Sequence, residues 1–386
     1  MATYYFRNTG NTATNLASNW SLTDGGGATG LVPTSLDDAY FTSNSGNCIP
    51  SSGFVCKTLI FSGVGAGNYS GAFTVTNAIT VFGNVTLSAT MTISGTNTLT
   101  VNTTGTLTSN GKTWTGALVF AGTSQTYTMG DNWTVNGTTT FNATVACTVN
   151  SNQITCAGGL ISGTTTVAIS GSVTLIISGG VLNGANNAAG WSINVTINSS
   201  GTVTPNTAWT QSGGTFTYTT GTFVPSGHTL YIGGNVTLNT NGITWNAISS
   251  TLTSTFTLSS LLTCNGNFLL GSNVTHTFAG TAGFTVGSIT SSNINHITIL
   301  ASGVTYTINN SFTFTATAGN HNIFKSSTGG VKAILTLKNG AGQDLSFIDF
   351  TDIDASLGKT ICTYKGTIAT SNNVRLLPTD VQTISY

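Results

Sequence analysis

From residue 113 to residue 324 this chain carries a single charged side chain, Asp131. That distribution favours a fold built by stacking. Like charges repeated one layer apart repel across ~5 Å, whereas hydroxyls and amides at that spacing line up in ladders. A genome biased toward Thr and Asn codons would enrich the same residues. Helix formers are scarce as well: all nine acids are Asp, Glu is absent, and Lys and Arg together number nine. Thr, Val, Ile, Phe and Tyr suit a pleated surface, so almost no α-helix is expected.

The 77 threonines and 48 glycines among 386 residues would point to disorder if apolar residues were few, but these make up 39%. An ordered, strand-rich chain follows. From about Lys57 to Gly330 the text repeats four to six residues of alternating apolar and Thr/Ser/Asn character, then Gly or Asn. This is strand with turn punctuation. Gly83-Asn84-Val85-Thr86-Leu87 returns as Gly171-Ser172-Val173-Thr174-Leu175 and Gly234-Asn235-Val236-Thr237-Leu238. Asn110-Gly111-Lys112-Thr113-Trp114 echoes in Asn241-Gly242-Ile243-Thr244-Trp245.

The repeats fit multiples of a roughly 20-residue coil, loosely kept, some 13 coils over residues 57–330. One coil of three short strands cannot bury its apolar face, but each coil placed on the next extends one core. The expected fold is therefore all-β, a β-solenoid, with a body at 57–330 and distinct caps at 1–56 and 331–386, where charge gathers.

Several functions are disfavoured at once. With nine cations against nine anions there is no electrostatic footprint for nucleic acid or an anionic membrane. No apolar run reaches the ~20 residues of a membrane span. Met1 to Gly10 lacks the apolar run of a secretory signal, which gives the expectation of a protein made in the cytoplasm. No cofactor is implied. Cysteines at 48, 56, 147, 156, 264 and 362 form no Cys-x-x-Cys pair. Cys48 and Cys56 are near enough to bridge, and all six equally suit small buried hydrophobes.

Polysaccharide cleavage requires two carboxylates flanking the bond, and Asn132 to Gln343 contains no acid. The remaining clusters lie in the caps. Asp37 and Asp38 precede a strand and read as turn chemistry. Asp349, Asp352 and Asp354 are hard oxygen donors and a candidate Ca²⁺ set, without the glycine pattern of calcium-binding solenoid repeats. His228, His276, His296 and His321 have no acidic partner nearby in sequence and read as ordinary surface or core residues. Thr74-Val75-Thr76, Thr126-Tyr127-Thr128 and Thr305-Tyr306-Thr307 invite an ice-binding reading, against which stand the bulky middle residues and irregular coils. Trp114 and Trp245, after matching Asn-Gly turns, read as repeated structural plugs.

Asn19-Trp20-Ser21, the glycines to Gly30, Pro33 and Asp37-Asp38-Ala39-Tyr40-Phe41 resemble the opening of β-helical virion proteins of uncultured tailed phages, and are similar to bacterial adhesin-like surface proteins. Leu345 to Asp354 with Gly358-Lys359-Thr360 looks like a final coil of the same group. The resemblance implies a right-handed parallel β-helix on a virion or cell surface and transfers no catalytic residue. The expectation is a non-enzymatic capsid decoration or tail-fibre component, with a bacterial adhesin or surface filament as the alternative. Ice binding and polysaccharide degradation are minor ones. Trp20, Pro33, Asp37, Asp38 and Phe41 are the candidate attachment residues. Expected partners are other virion proteins, cell-surface components or a host glycan, and copies of the chain itself, a trimer among the options.

Overall fold

A computed structural model describes residues 1–379, except 8, 9, 11, 143–145, 163–167, 184–189, 206, 207, 226, 272, 292, 293 and 369–371. Among the described residues there is no α-helix, only a 3-10 turn at Ala17–Asn19 between short strands. The strands stack in parallel as a β-solenoid of about 14 turns. They group into two compact units, one of Met1–Asn187, Ser192–Thr204 and Thr220–Thr222, the other of Ala188–Trp191, Pro205–Thr219 and Phe223–Tyr386.

In the first unit each coil has three sides. On the first side Thr3–Phe6, Asp38–Tyr40, Thr58–Ile60, Val85–Thr86, Gly105–Thr108, Gln125–Met129 and Ala146–Asn150 follow one another in parallel. Thr113–Trp114, Trp133–Val135, Gln153–Cys156 and the end of Ala168–Ile177 form the second. The third runs from Phe54–Cys56 through Ile79–Val81, Leu99–Val101, Leu118–Phe120, Thr139–Phe141 and Gly159–Ser162 to Val181–Asn183. Tyr127 lies opposite Val149 on the first side, and Leu99 opposite Leu118 on the third. Both pairings match the coil length expected from the sequence repeats.

The second unit repeats the plan. Its first side stacks Val236–Asn239, Ser254–Leu258, Thr275–Gly280, Ile297–Leu300, Asn322–Ser326 and Ile348–Thr351. Three long strands, Leu262–Leu270, Phe284–Ser291 and Thr305–Thr315, turn a corner without breaking and serve two sides each, with register shifts at the bends. Gly342–Ser346 continues the third side.

Alternation explains the stacking. Along Gln125–Met129, Tyr127 and Met129 are fully buried while Thr126 and Thr128 face outward. Burying each such apolar side chain is worth ~1.5–3 kcal/mol, and within each unit the stacked coils share a core. The same geometry removes one objection raised from the sequence: in each Thr-x-Thr, the middle residue Val75, Tyr127 or Tyr306 is buried, so its bulk never reaches the outer face.

The corners follow backbone chemistry. Asn110 and Asn241 adopt φ of 49° and 40°, followed by Gly111 and Gly242 at 76° and 93°. These are left-handed values that Asn and Gly adopt at least cost. Each corner delivers a tryptophan to the core, Trp114 and Trp245, as the sequence echo suggests. The Gly-Asn-x-Thr-x motif behaves differently. Val85 stacks with Leu107 on the first side, whereas Leu175 stacks with Ile154 on the second. Every side needs a corner followed by a strand, so this motif marks corners and not coils.

Strand pairing runs through the two positions where caps were expected to end. Asp38–Tyr40 pairs with Thr58–Ile60 across residue 57, and Thr305–Thr315 pairs with Ala333–Leu337 across residue 330. At the start of the chain, Trp20–Ser21 lies antiparallel on Thr3–Phe6 and covers part of the first strand's open edge.

Candidate functional site

The candidate attachment residues at the N-terminal end are mostly interior. Trp20 is fully buried, its Nε1–H donating to the Thr14 carbonyl at 2.8 Å, and its ring packs on Phe6 and Phe54. Phe41, also fully buried, is stacked between Phe6 at 5.0 Å and Phe61 at 4.6 Å. Pro33 is buried. Asp37 accepts the Ala2 backbone N–H at 2.7 Å and the Thr34 hydroxyl at 2.6 Å. The Thr34 bond, against the opposing effect of burial, holds its carboxyl below the usual range. Asp38 accepts the Thr58 hydroxyl at 2.8 Å. These residues hold the end of the solenoid together, and Trp20 and Phe41 have no surface to offer a partner.

What this end does expose was not singled out in the sequence. Met1, Leu22, Leu31 and Leu36 are each more than half exposed, with Leu16, Val32 and Ile49 partly so. Met1 and Leu36, with Ser35, Lys57, Phe82 and Thr103, line an open cavity of about 390 Å³. A signal exists in retrospect: these leucines fall in Gly- and Pro-rich segments that lack the period-two alternation assigning a side chain to the core.

At the other end, the three aspartates considered for calcium are each engaged separately. Asp349 accepts from His321 Nδ1 at 2.9 Å and from the Thr367 N–H at 2.8 Å. Burial works to raise its pKa, and those bonds outweigh it. Asp352, at φ 57°, accepts the Gly330 N–H and the Asn372 side-chain amide, and Asp354 the Ser356 N–H. Among the described residues no three His, Cys, Asp or Glu are grouped to hold a metal.

Three of the histidines meet partners that lie far from them in the sequence. His321 meets Asp349 from the next coil. His276 and His296 are both fully buried and stack with ring centroids 4.9 Å apart. His228 is half-buried, and no partner for its ring is described. All six cysteines are free thiols, Cys48 and Cys56 among them, so the possible bridge between that pair is not formed.

The chain matches no protein-family model, no curated protein and no solved structure. Its chemistry has to be read from its own side chains. Asp24, Asp37, Asp38, Asp131, Asp349, Asp352 and Asp354 all accept hydrogen bonds from backbone N–H groups or polar side chains of the chain. Outward polar side chains bond across coils: Thr148 to Ser170 at 3.1 Å, Ser311 to Ser288 at 2.8 Å, Asn267 to Thr290 at 2.8 Å. No helix among the described residues is long and apolar enough to cross a membrane.

Proposed function

We propose that this chain is a structural protein without a catalytic role, a β-solenoid displayed on a tailed-phage particle as a capsid decoration or tail-fibre component. The observation that supports this most is the outer face itself. Its hydroxyls and amides bond to the neighbouring coil, as Thr148 does to Ser170, so they lend durability to the stack. The resemblance of both ends to β-helical virion proteins supplies the setting.

Attachment is assigned to the N-terminal end, where Leu22, Leu31 and Leu36 leave apolar surface in water. Quantitative mass spectrometry of density-purified particles from the source culture tests the proposal. The chain is expected at a fixed copy number per particle. Its absence from particles, or its recovery in a bacterial surface fraction instead, overturns the phage reading, and the second outcome supports an adhesin or filament.

A further inference from the structure

A group of buried polar side chains lies in the core of the second unit, Ser250, Ser254, His276, His296, Thr298 and Asn322 among them. Thr275–Gly280 and Ile297–Leu300 are neighbouring parallel strands, with His276 in the first and His296 at the entrance to the second. Their ring centroids lie 4.9 Å apart with the planes 25° from parallel, both rings at 0% exposure. His296 Nδ1 sits 2.7 Å from the Gly271 carbonyl, which can only accept, so Nδ1 carries the proton and Nε2 takes the Thr298 hydroxyl at 2.8 Å. His276 Nε2 meets the Ser250 hydroxyl at 3.0 Å, and its Nδ1 is buried with no partner. With no anionic partner described for either ring, burial favours the neutral form of both.

No carboxylate is among the hydrogen-bond partners described for either ring. The strands packed on the pair present Ser250, Ser254, Phe256, Thr298, Phe314 and Asn322. The ionisable groups on and beside those strands face elsewhere. Lys325 alternates to the outer side of Asn322–Ser326, and His321 and Asp349 bond to each other. Tyr306 packs on Phe278 and Phe284.

We propose that the stacked His276–His296 pair is an acid-operated latch, which opens the coils of the second unit that it joins when the surroundings acidify. A proton on either ring places a charge in a dry core, and a second proton adds repulsion across the stack. Burial first, and then the charge of His296, push the pKa of His276 down to about 3, against the backbone groups of Ser250 and Leu252 that favour the charged ring. Burial pushes His296 down to about 4, against the Gly271 bond.

In the open chain both imidazoles titrate near ~6.5. The open state thus binds protons that the closed state refuses. Closure is fully favoured above pH ~6.5 and weakens as pH falls toward the folded values. All four histidines lie between residues 228 and 321, so the first unit has none. In the interval from pH ~6.5 down to ~4, histidine protonation therefore acts on the second unit alone.

Hydrogen exchange on the full chain, read by mass spectrometry and corrected for intrinsic rates, tests this. Between pH 7 and pH 4, opening at peptides covering 275–280 and 297–300 should rise on the order of a hundredfold for each buried imidazole. Peptides covering 99–108 and 118–129 should hold their protection. Unchanged protection in the second unit, or equal loss in both units, overturns the latch. His276→Gln with His296→Gln should flatten the pH response, and a folded variant that keeps it contradicts the proposal. Should that variant fail to fold, the imidazole proton resonances of the unmodified chain decide: two rings still neutral at pH 5 support it, and titration near pH 6.5 refutes it.

Discussion

Phe120 and Phe141 stack face to face one coil apart, ring centroids 5.1 Å and planes within 9°. Their strands are in register, Phe120 directly opposite Phe141. Phe256 and Phe278 repeat the relationship in the second unit at 4.8 Å. Because each coil contacts chiefly its neighbours, removing one ring should loosen the coils beside it more than distant ones. Phe141→Ala is expected to cost ~3–5 kcal/mol in urea unfolding. A loss below about 1 kcal/mol would mean that the rings do not form the core.

Glycines stack at one corner of the first unit. A Cβ on Gly137 would lie 2.4 Å from the Gly116 carbonyl carbon, and one on Gly158 would lie 2.4 Å from that of Gly137. The obstructing atoms are backbone, already hydrogen-bonded from Gly137 N–H to the Gly116 carbonyl at 3.1 Å. No side chain can move aside to make room. Gly137→Ala should therefore cost ~1–3 kcal/mol despite the small change in volume. Thermal unfolding of that variant beside Gly111→Ala separates this crowding from turn strain, since nothing lies within 4 Å of a Cβ at Gly111.

Asp131 is the lone charge in the neutral stretch, and it has a specific task. Its two carboxylate oxygens accept the N–H groups of Ser109 and Asn110 at 2.7 and 2.6 Å, capping the left-handed corner one coil below. Charge-assisted bonds of this kind are worth ~1.5–3 kcal/mol. Asp131→Ala should lower stability by about that amount, and Asp131→Asn, which keeps one acceptor, by less. Equal losses in the two variants would show that only the charged carboxylate caps this corner, and no loss in either would contradict the capping role.

The thiols offer a chemical readout of burial. Desolvation raises the pKa of Cys48 and Cys56 well above the ordinary range, and pushes Cys147 and Cys156 up to about 12 and Cys264 to about 11. Only Cys362 is half-exposed. Since the thiolate is the reactive form, native protein at pH 8 should take one iodoacetamide label, on Cys362, and six after unfolding. Rapid labelling of Cys147 or Cys156 without unfolding would contradict the packing.

Strands and corners were legible because both are local codes. Alternation placed Tyr127 and Met129 inside, and Asn-Gly placed Trp114 and Trp245. Coil register was not, because the step between stacked residues is uneven: Ser346 pairs with Tyr364, a short step, whereas Phe312 pairs with Gln343, a much longer one. For the same reason His276 and His296 look unrelated in the sequence until the length of the coil between them is known. Trp20 and Phe41 stood out as motif residues, yet nothing local says that the chain folds back over them. The bond between His321 and Asp349 likewise exists only once coils are stacked.

The fold rests on the stacking register of its coils, and a pair of introduced cysteines tests it directly. Thr106 and Thr128 lie opposite one another on the outer face of adjacent coils. Thr106→Cys with Thr128→Cys should form an intramolecular disulfide on mild oxidation of the folded protein, whereas Thr106→Cys with Asn150→Cys, two coils apart, should not. Failure of the first pair to close in folded protein, or equal closure of both, would contradict the parallel coil-on-coil stack from which every other inference descends.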